Sequence, residues 1–284
     1  MTINYDALMA YTLPDVHQHL SHSDTIFYAL SVGFGQDPTN PHQLDFADQH
    51  RALRAAPTLA TVLAHPGFWV ADPATGIDAV QVVHGEQSIV LHRPLPTEGE
   101  IIGRTRVTGL VDKGPGRGAL LYSEKALTLA VTGERLATLT STTVLRGDGG
   151  FGGPAGPVHP PHPMPDGPPD WTMDLPTRPE QALLYRLNGD DNPLHADPAL
   201  AARAGYPRPI LHGLCTLGIV GHALLAQLGG YDPARFHEMH LRFTAPVFPG
   251  ETIRTEGWHG GTFRARVVER DVVVINNGRA VFSA

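Results

Sequence analysis

The stretch Asn188 to Asp197, NGDDNPLHAD, sets Asp190 and His195 five residues apart across an Asn192-Pro193 step. A carboxylate and a neutral imidazole brought together can take a proton from water and hand one back near neutral pH. Asn, Asp, Gly and Pro are also ordinary turn residues, so local structure has to be subtracted first. Asn192-Pro193 suits a tight turn. Asp197 is a good N-cap for DPALAARAGY, with Pro198 at the first helical position and Gly205 as a stop. That leaves Asp190 and His195 without a local role. Seventeen residues after His195, His212-Gly213 opens the apolar run Leu211 to Gly230. A helix N-terminus there presents free N–H groups and a partial positive charge, and Gly213 has no side chain to keep a ligand oxygen away. Carboxylate, imidazole and oxyanion donor together equip a site for proton transfer beside a polarised carbonyl.

Other chemistries fit less well. Asp190, His195 and His212 have the composition of a two-His, one-carboxylate metal set, but an oxyanion role leaves no place for the ion, so no metal is expected. A calcium loop starting at Asp190 fails, because Leu194 occupies its fifth position and no glycine follows at the sixth. No G-x-S-x-G supports a serine hydrolase. His17, His19 and His22 in HQHLSH read as surface histidines, and Cys215, the one cysteine, as an inert core thiol.

The elements that must position this chemistry are legible in outline. The 284 residues, 42% apolar, suffice for one large domain or two of ordinary size. A net charge of −7 argues against nucleic acid as the main partner. A single cysteine excludes an intrachain disulfide framework and suits a reducing compartment. No apolar run reaches membrane-spanning length, the first residues lack a secretory pattern and AVFSA is no peroxisomal address, so a cytoplasmic protein is expected. Residues 150–170, GFGGPAGPVHPPHPMPDGPPD, are too proline-rich for a helix or central strand and read as a solvated linker. It separates residues 1–149 from residues 171–284. The two parts repeat weakly: Pro94 of RPLPTEGEIIGRT and Pro246 of APVFPGETIRT lie 152 apart, as do Pro57 of PTLATVL and Pro209 of PILHGLC. Each unit reads as an irregular segment, an apolar helix and then long strands, with Asn277-Gly278 as a hairpin signal. The expected class is α+β: two antiparallel sheets, each wrapped around a long central helix.

The run YRLNGDDNPLHADPALAARAGYPRPILHG (Tyr185 to Gly213) resembles the signature of the MaoC-like (R)-specific enoyl-CoA hydratase 2 family. YALSVGFG, APTLATVL, VVHGEQ, VDKGPG and LRFTAPVFPGET resemble further segments of its two-unit members, in the expected order. The resemblance implies a double hotdog fold and reversible conversion of trans-2-enoyl-CoA to (3R)-3-hydroxyacyl-CoA. It places Asp190 and His195 as the catalytic pair and Gly213 as the backbone donor to the thioester oxygen. Asn192 would help shape the site, and His84, Gly85, Lys113 and Phe243 would contact the CoA part. No cofactor is implied, and a homodimer is. Plain readings compete for the four CoA positions: a turn at His84-Gly85, a solvated loop lysine at Lys113, a core ring at Phe243.

The first unit carries an echo. GQDPTNPHQ also sets Asp37 and His42 five apart around Asn40-Pro41, but Ala60-Thr61 stands where the second unit has His212-Gly213. The resemblance implies one active site, in the C-terminal unit, with the N-terminal unit accommodating the acyl chain. Open alternatives are a dehydratase of carrier-protein thioesters, one of branched or mesaconyl-type CoA, and a non-catalytic acyl-CoA binding protein.

Overall fold

The structure, a computed structural model, describes residues 3–283. Its first five strands are β1 (Val16–Leu20), β2 (Val82–Leu91), β3 (Gly99–Asp112), β4 (Ala119–Leu129) and β5 (Arg135–Leu145). The other five are β6 (Trp171–Pro176), β7 (Phe236–Phe243), β8 (Thr252–Gly257), β9 (Thr262–Val267) and β10 (Val272–Phe282). All ten belong to one antiparallel sheet of order β1-β3-β4-β5-β2-β7-β10-β9-β8-β6. From each outer edge inward the two halves follow the same order, which is the form the sequence repeat takes in space. The two separate sheets expected from sequence are instead one, because β2 and β7 pair edge to edge. Gln87 lies opposite Leu241 and Ile89 opposite Met239 on the inner face, while Glu86 and Arg242 form a 2.8 Å ion pair on the outer face. The pairing leaves neither strand as an open edge, where unpaired N–H and C=O groups would recruit other chains.

The helices are α1 (Tyr5–Met9), α2 (His22–Ser31), α3 (Pro41–Leu44), α4 (Gln181–Tyr185), α5 (Pro198–Arg203) and α6 (Gly213–Gly229). Helix α6 is buried over nearly its whole circumference, as its apolar sequence requires, and Gly230 ends it in the left-handed region at φ 57°. The matching helix expected in the first unit is absent among the described residues. A single 3₁₀ turn, Pro57–Thr61, takes its place. Two features explain the truncation. The turn packs so closely on α6 that a β-carbon at Gly221 would fall 2.5 Å from the Thr58 methyl. At the end of the turn and just past it, the buried Lys125 of β4 places its ammonium 3.2, 3.0 and 2.7 Å from the carbonyls of Ala60, Thr61 and Leu63. A continuing helix would have used those carbonyls internally, so a side chain from the sheet now satisfies them.

One other expectation changes, and one gains detail. The proline-rich segment between β5 and β6 is largely exposed, and is tied at a few points across the outer face of the sheet. The Pro154 carbonyl accepts from the Asp112 N–H at 2.8 Å, His162 Nε2 meets Thr262 Oγ1 at 2.9 Å, and the Gly167 carbonyl accepts from Trp258 Nε1 at 3.0 Å. A cavity of about 520 Å³ lies between this strap and Glu86, Tyr122, Thr142 and His240. Asn277-Gly278 is not a hairpin turn. It sits inside β10 at a register shift, and a side chain at Gly278 would strike the Phe263 ring, whose edge lies 2.5 Å from the β-carbon position.

Candidate active site

The motif loop folds as its residue types dictate. The Asn192 side chain accepts from the Leu194 N–H at 3.0 Å and caps a one-turn 3₁₀ helix, Pro193–His195. Asp197 accepts from the Ala199 N–H at 2.8 Å and starts α5. With those local roles taken, His195 turns inward and is buried, 9% exposed. Its Nδ1 lies 2.9 Å from the Ile210 carbonyl. A carbonyl only accepts, so Nδ1 carries the proton and Nε2 keeps its lone pair. Burial holds the imidazole below its ordinary value, against the opposing pull of the Ile210 carbonyl and the Asp190 carboxylate. His195 is therefore a neutral base at neutral pH.

His212, the residue before α6, ties the loop to the helix. Its Nε2–H donates to the backbone carbonyl of Asp190 at 3.1 Å, and its ring stacks on His195 with centroids 3.7 Å apart. Burial and the neighbouring His195 push its imidazole down to about 3, so it too is neutral. No side chain caps the start of α6, so the first N–H groups of the helix stay open beside the pair. The ligand atoms of Asp190, His195 and His212 lie within 4.8 Å of one another. The two imidazole planes are stacked at 28°.

The residues expected to contact CoA divide into two groups. Phe243 and His84 join the centre: a β-carbon at Gly213 would lie 3.3 Å from the Phe243 ring, and that ring is 4.9 Å from His84. Gly85 explains His84. It occupies a bulge between β2 and β5, where a β-carbon would meet Val144 at 2.8 Å and the Thr142 carbonyl at 3.0 Å. The bulge sets His84 opposite Thr143, on the face shared with Gln87 and α6. Lys113 stands apart. It follows the last residue of β3, and its ammonium makes no hydrogen bond or ion pair among the described residues. Asn192 is committed to its cap.

Sequence reasoning missed His65, which comes from the first unit. Its Nδ1 accepts from the Gly67 N–H at 3.1 Å, so Nε2 carries the proton. Although His65 is an exposed residue, desolvation by the groups around its ring and the charge on Lys125 lower its imidazole from the ordinary value, and the Asp190 carboxylate works in the opposite direction. Lys125 was equally invisible in the strand pattern; burial pushes its amine down to about 7.

Two family patterns fit this architecture. The MFE-2 hydratase 2 N-terminal domain matches residues 19–147, and the MaoC like domain matches residues 162–279. The 3-hydroxyacyl-thioester dehydratase Y of Mycobacterium tuberculosis is 40% identical, with 98% of this chain and 94% of that protein covered. The chain belongs to the MaoC-like hydratase 2 family. The peroxisomal enoyl-CoA hydratase 2 of Arabidopsis thaliana is 37% identical over 96% of this chain and 93% of its own length. A crystal structure of a MaoC-like dehydratase from Phytophthora capsici superposes with a TM-score of 0.86 at 32% identity, covering 99% of both chains. A Mycobacterium tuberculosis protein with a double hotdog fold shares that fold at a TM-score of 0.58, with 18% identity and 99% coverage of both chains.

Proposed function

We propose that this chain reversibly adds water to a trans-2-enoyl-CoA, giving a (3R)-3-hydroxyacyl-CoA in fatty-acid metabolism. The observation that carries the reading is the meeting of Asp190, His195 and the uncapped start of α6 at Gly213. Water is held between the Asp190 carboxylate and the bare Nε2 of His195. Its oxygen bonds to C3 while one of its protons passes to the pair. The π electrons shift towards the thioester oxygen, where the Gly213 N–H receives the developing charge. Return of a proton to C2 completes the addition and restores the pair. In the reverse direction the same groups remove water from the hydroxyacyl thioester. No metal or redox cofactor enters this chemistry.

Residues 171–284 then form the reacting unit and residues 1–149 the supporting one, with residues 150–170 as the crossing. The five-residue turn that replaces a helix in the first unit supports a role there in accommodating the acyl chain. Phe243, packed beside Gly213, and His84, packed beside Phe243, are assigned to the CoA-bearing end of the substrate. Lys113 is assigned there with a free ammonium for phosphate, while Gly85 and Asn192 act by shaping the backbone. The assembly is read as a homodimer, tested by light scattering. The described helices include none long and apolar enough to cross a membrane. Cys215 is buried and unpaired, as suits the reducing cytoplasm.

The test is loss of the conjugated thioester absorbance with crotonyl-CoA and a longer trans-2-enoyl-CoA. Both decline with wild type, and Asp190→Asn and His195→Gln abolish the rate. Unchanged rates in those variants overturn the reading. The name of the mycobacterial relative favours a second reading, dehydration of another 3-hydroxyacyl thioester. Comparing CoA and carrier-protein thioesters separates the two. Binding of acyl-CoA without turnover would mark a non-catalytic protein.

A further inference from the structure

Behind the His195–His212 stack lie three fully buried polar atoms with no hydrogen-bond partner in the protein: Tyr28 Oη, Tyr185 Oη and His212 Nδ1. The residues are 0%, 0% and 1% exposed. They are neighbours, with Tyr28 and Tyr185 ring centroids 6.3 Å apart and those of Tyr185 and His212 5.1 Å apart. An isolated buried polar group without a partner costs roughly 1–3 kcal/mol, so three side by side point to a shared ligand.

The donors and acceptors define that ligand. His212 spends its one N–H on the Asp190 carbonyl, so Nδ1 is an acceptor. Each phenol brings one O–H donor. The Thr61 hydroxyl lies within reach of both phenols, and Thr58 and Tyr185 also approach the Tyr28 hydroxyl, but none of these contacts closes a hydrogen bond of full geometry. The Thr61 hydroxyl donates to the Thr58 carbonyl at 2.8 Å, leaving its own lone pairs open. Two donors and two acceptors are the set that one tetrahedral water would satisfy.

We propose that Tyr28, Tyr185, Thr61 and His212 enclose an ordered-water site, and that the two tyrosines act through it as positioning residues for Asp190. The water accepts from both phenols and donates to His212 Nδ1 and Thr61 Oγ1. A donor at Nδ1 keeps the ring proton on Nε2, where it holds the backbone carbonyl of Asp190. Tyr28 and Thr61 belong to the first unit, Tyr185 and His212 to the second. Thr61 is also the position that aligns with Gly213 in the repeat. The unreactive copy thus supplies half of the support for the reactive one.

The catalytic part rests on the hydratase reading; the water site and the tautomer do not. Phenylalanine removes each hydroxyl without changing ring volume, so Tyr28→Phe, Tyr185→Phe and the double variant are the test. A high-resolution crystal structure of wild type is expected to show a water within hydrogen-bond distance of all three atoms. Nitrogen-15 NMR is expected to show His212 as the Nε2–H tautomer. In the double variant the water is lost and the tautomer becomes mixed, while thermal unfolding stays cooperative. Each single variant is expected to lose about tenfold in kcat with KM unchanged, and the double variant no more than the worse single one, because both hydroxyls hold one water. No density between the three atoms in wild type, or a double variant with wild-type kcat and an unchanged tautomer, overturns the proposal. If wild type hydrates no enoyl thioester, the hydratase reading fails, and the density and tautomer still decide the water site.

Discussion

Asp37/His42 and Asp190/His195 are the same motif folded twice, and the copies diverge only beyond the turn. In both, the Asn side chain caps a short helix opened by proline: Asn40 accepts from the His42 N–H at 3.0 Å, and Asn192 from the Leu194 N–H at 3.0 Å. Afterwards the surroundings differ. Asp37 accepts from both the backbone and the hydroxyl of Thr39, where Asp190 accepts from the Asn192 N–H at 3.3 Å, and His42 lies exposed against Tyr231. His195 is buried against His212, with a fixed proton and a bare Nε2. The second copy has a 17-residue helix whose first N–H groups face the pair, while the first has a five-residue turn whose carbonyls are held by Lys125. The five-residue spacing builds a turn. Burial and an adjacent helix start turn it into a reaction centre.

The largest effect should come from removing the proton carriers. Asp190→Asn or His195→Gln is expected to lower kcat by about 10²–10⁴-fold, measured with crotonyl-CoA. Gly213→Ala should follow, at roughly 10²-fold in kcat/KM, because a methyl 3.3 Å from Phe243 crowds the place the thioester oxygen needs. Gly221→Ala tests the packing that sets the two copies apart. Its methyl meets Thr58 at 2.5 Å, and denaturant unfolding should show about 1–3 kcal/mol of lost stability.

Acid should act on the reactive copy's buried imidazoles. His195, His212 and His222 have folded values below 6.5, with His212 about 3 and His222 about 4, in each case chiefly through burial. The unfolded chain therefore binds more protons between those values and 6.5, and stability falls as pH drops below 6.5. Urea midpoints at pH 7.5 and 5.5 check this. The acid limb of kcat/KM should likewise lie below 6.5, because His195 must be neutral to accept a proton. The smallest effect belongs to the echo: Asp37→Asn and His42→Gln should change kcat/KM by less than about twofold.

Much of this contrast was legible in the residues themselves. Asp197 and Asn192 could be subtracted as caps because capping is local, and what remained was Asp190 and His195. Helix α6 was legible from its unbroken apolar run and its Gly230 stop. The first unit's missing helix was not, since PTLATVL is apolar either way and the carbonyl acceptors for Lys125 lie more than 60 residues away from it in sequence. The joining of β2 to β7 is a pairing between distant strands and leaves no local signature. Asn277-Gly278 misled because a left-handed residue followed by glycine serves a bulge as well as a hairpin; Asn277 has φ 53° within β10. His65 lacked any motif, and only the fold brings it near Asp190.

The most direct test is hydration of a trans-2-enoyl-CoA by wild type, by Asp190→Asn with His195→Gln, and by Asp37→Asn with His42→Gln, with the configuration of the product determined. The account predicts a (3R)-hydroxyacyl-CoA from wild type and from the first-unit variant at similar rates, and no turnover from the second-unit variant. An (S) product, or equal loss of activity from both double variants, would contradict it.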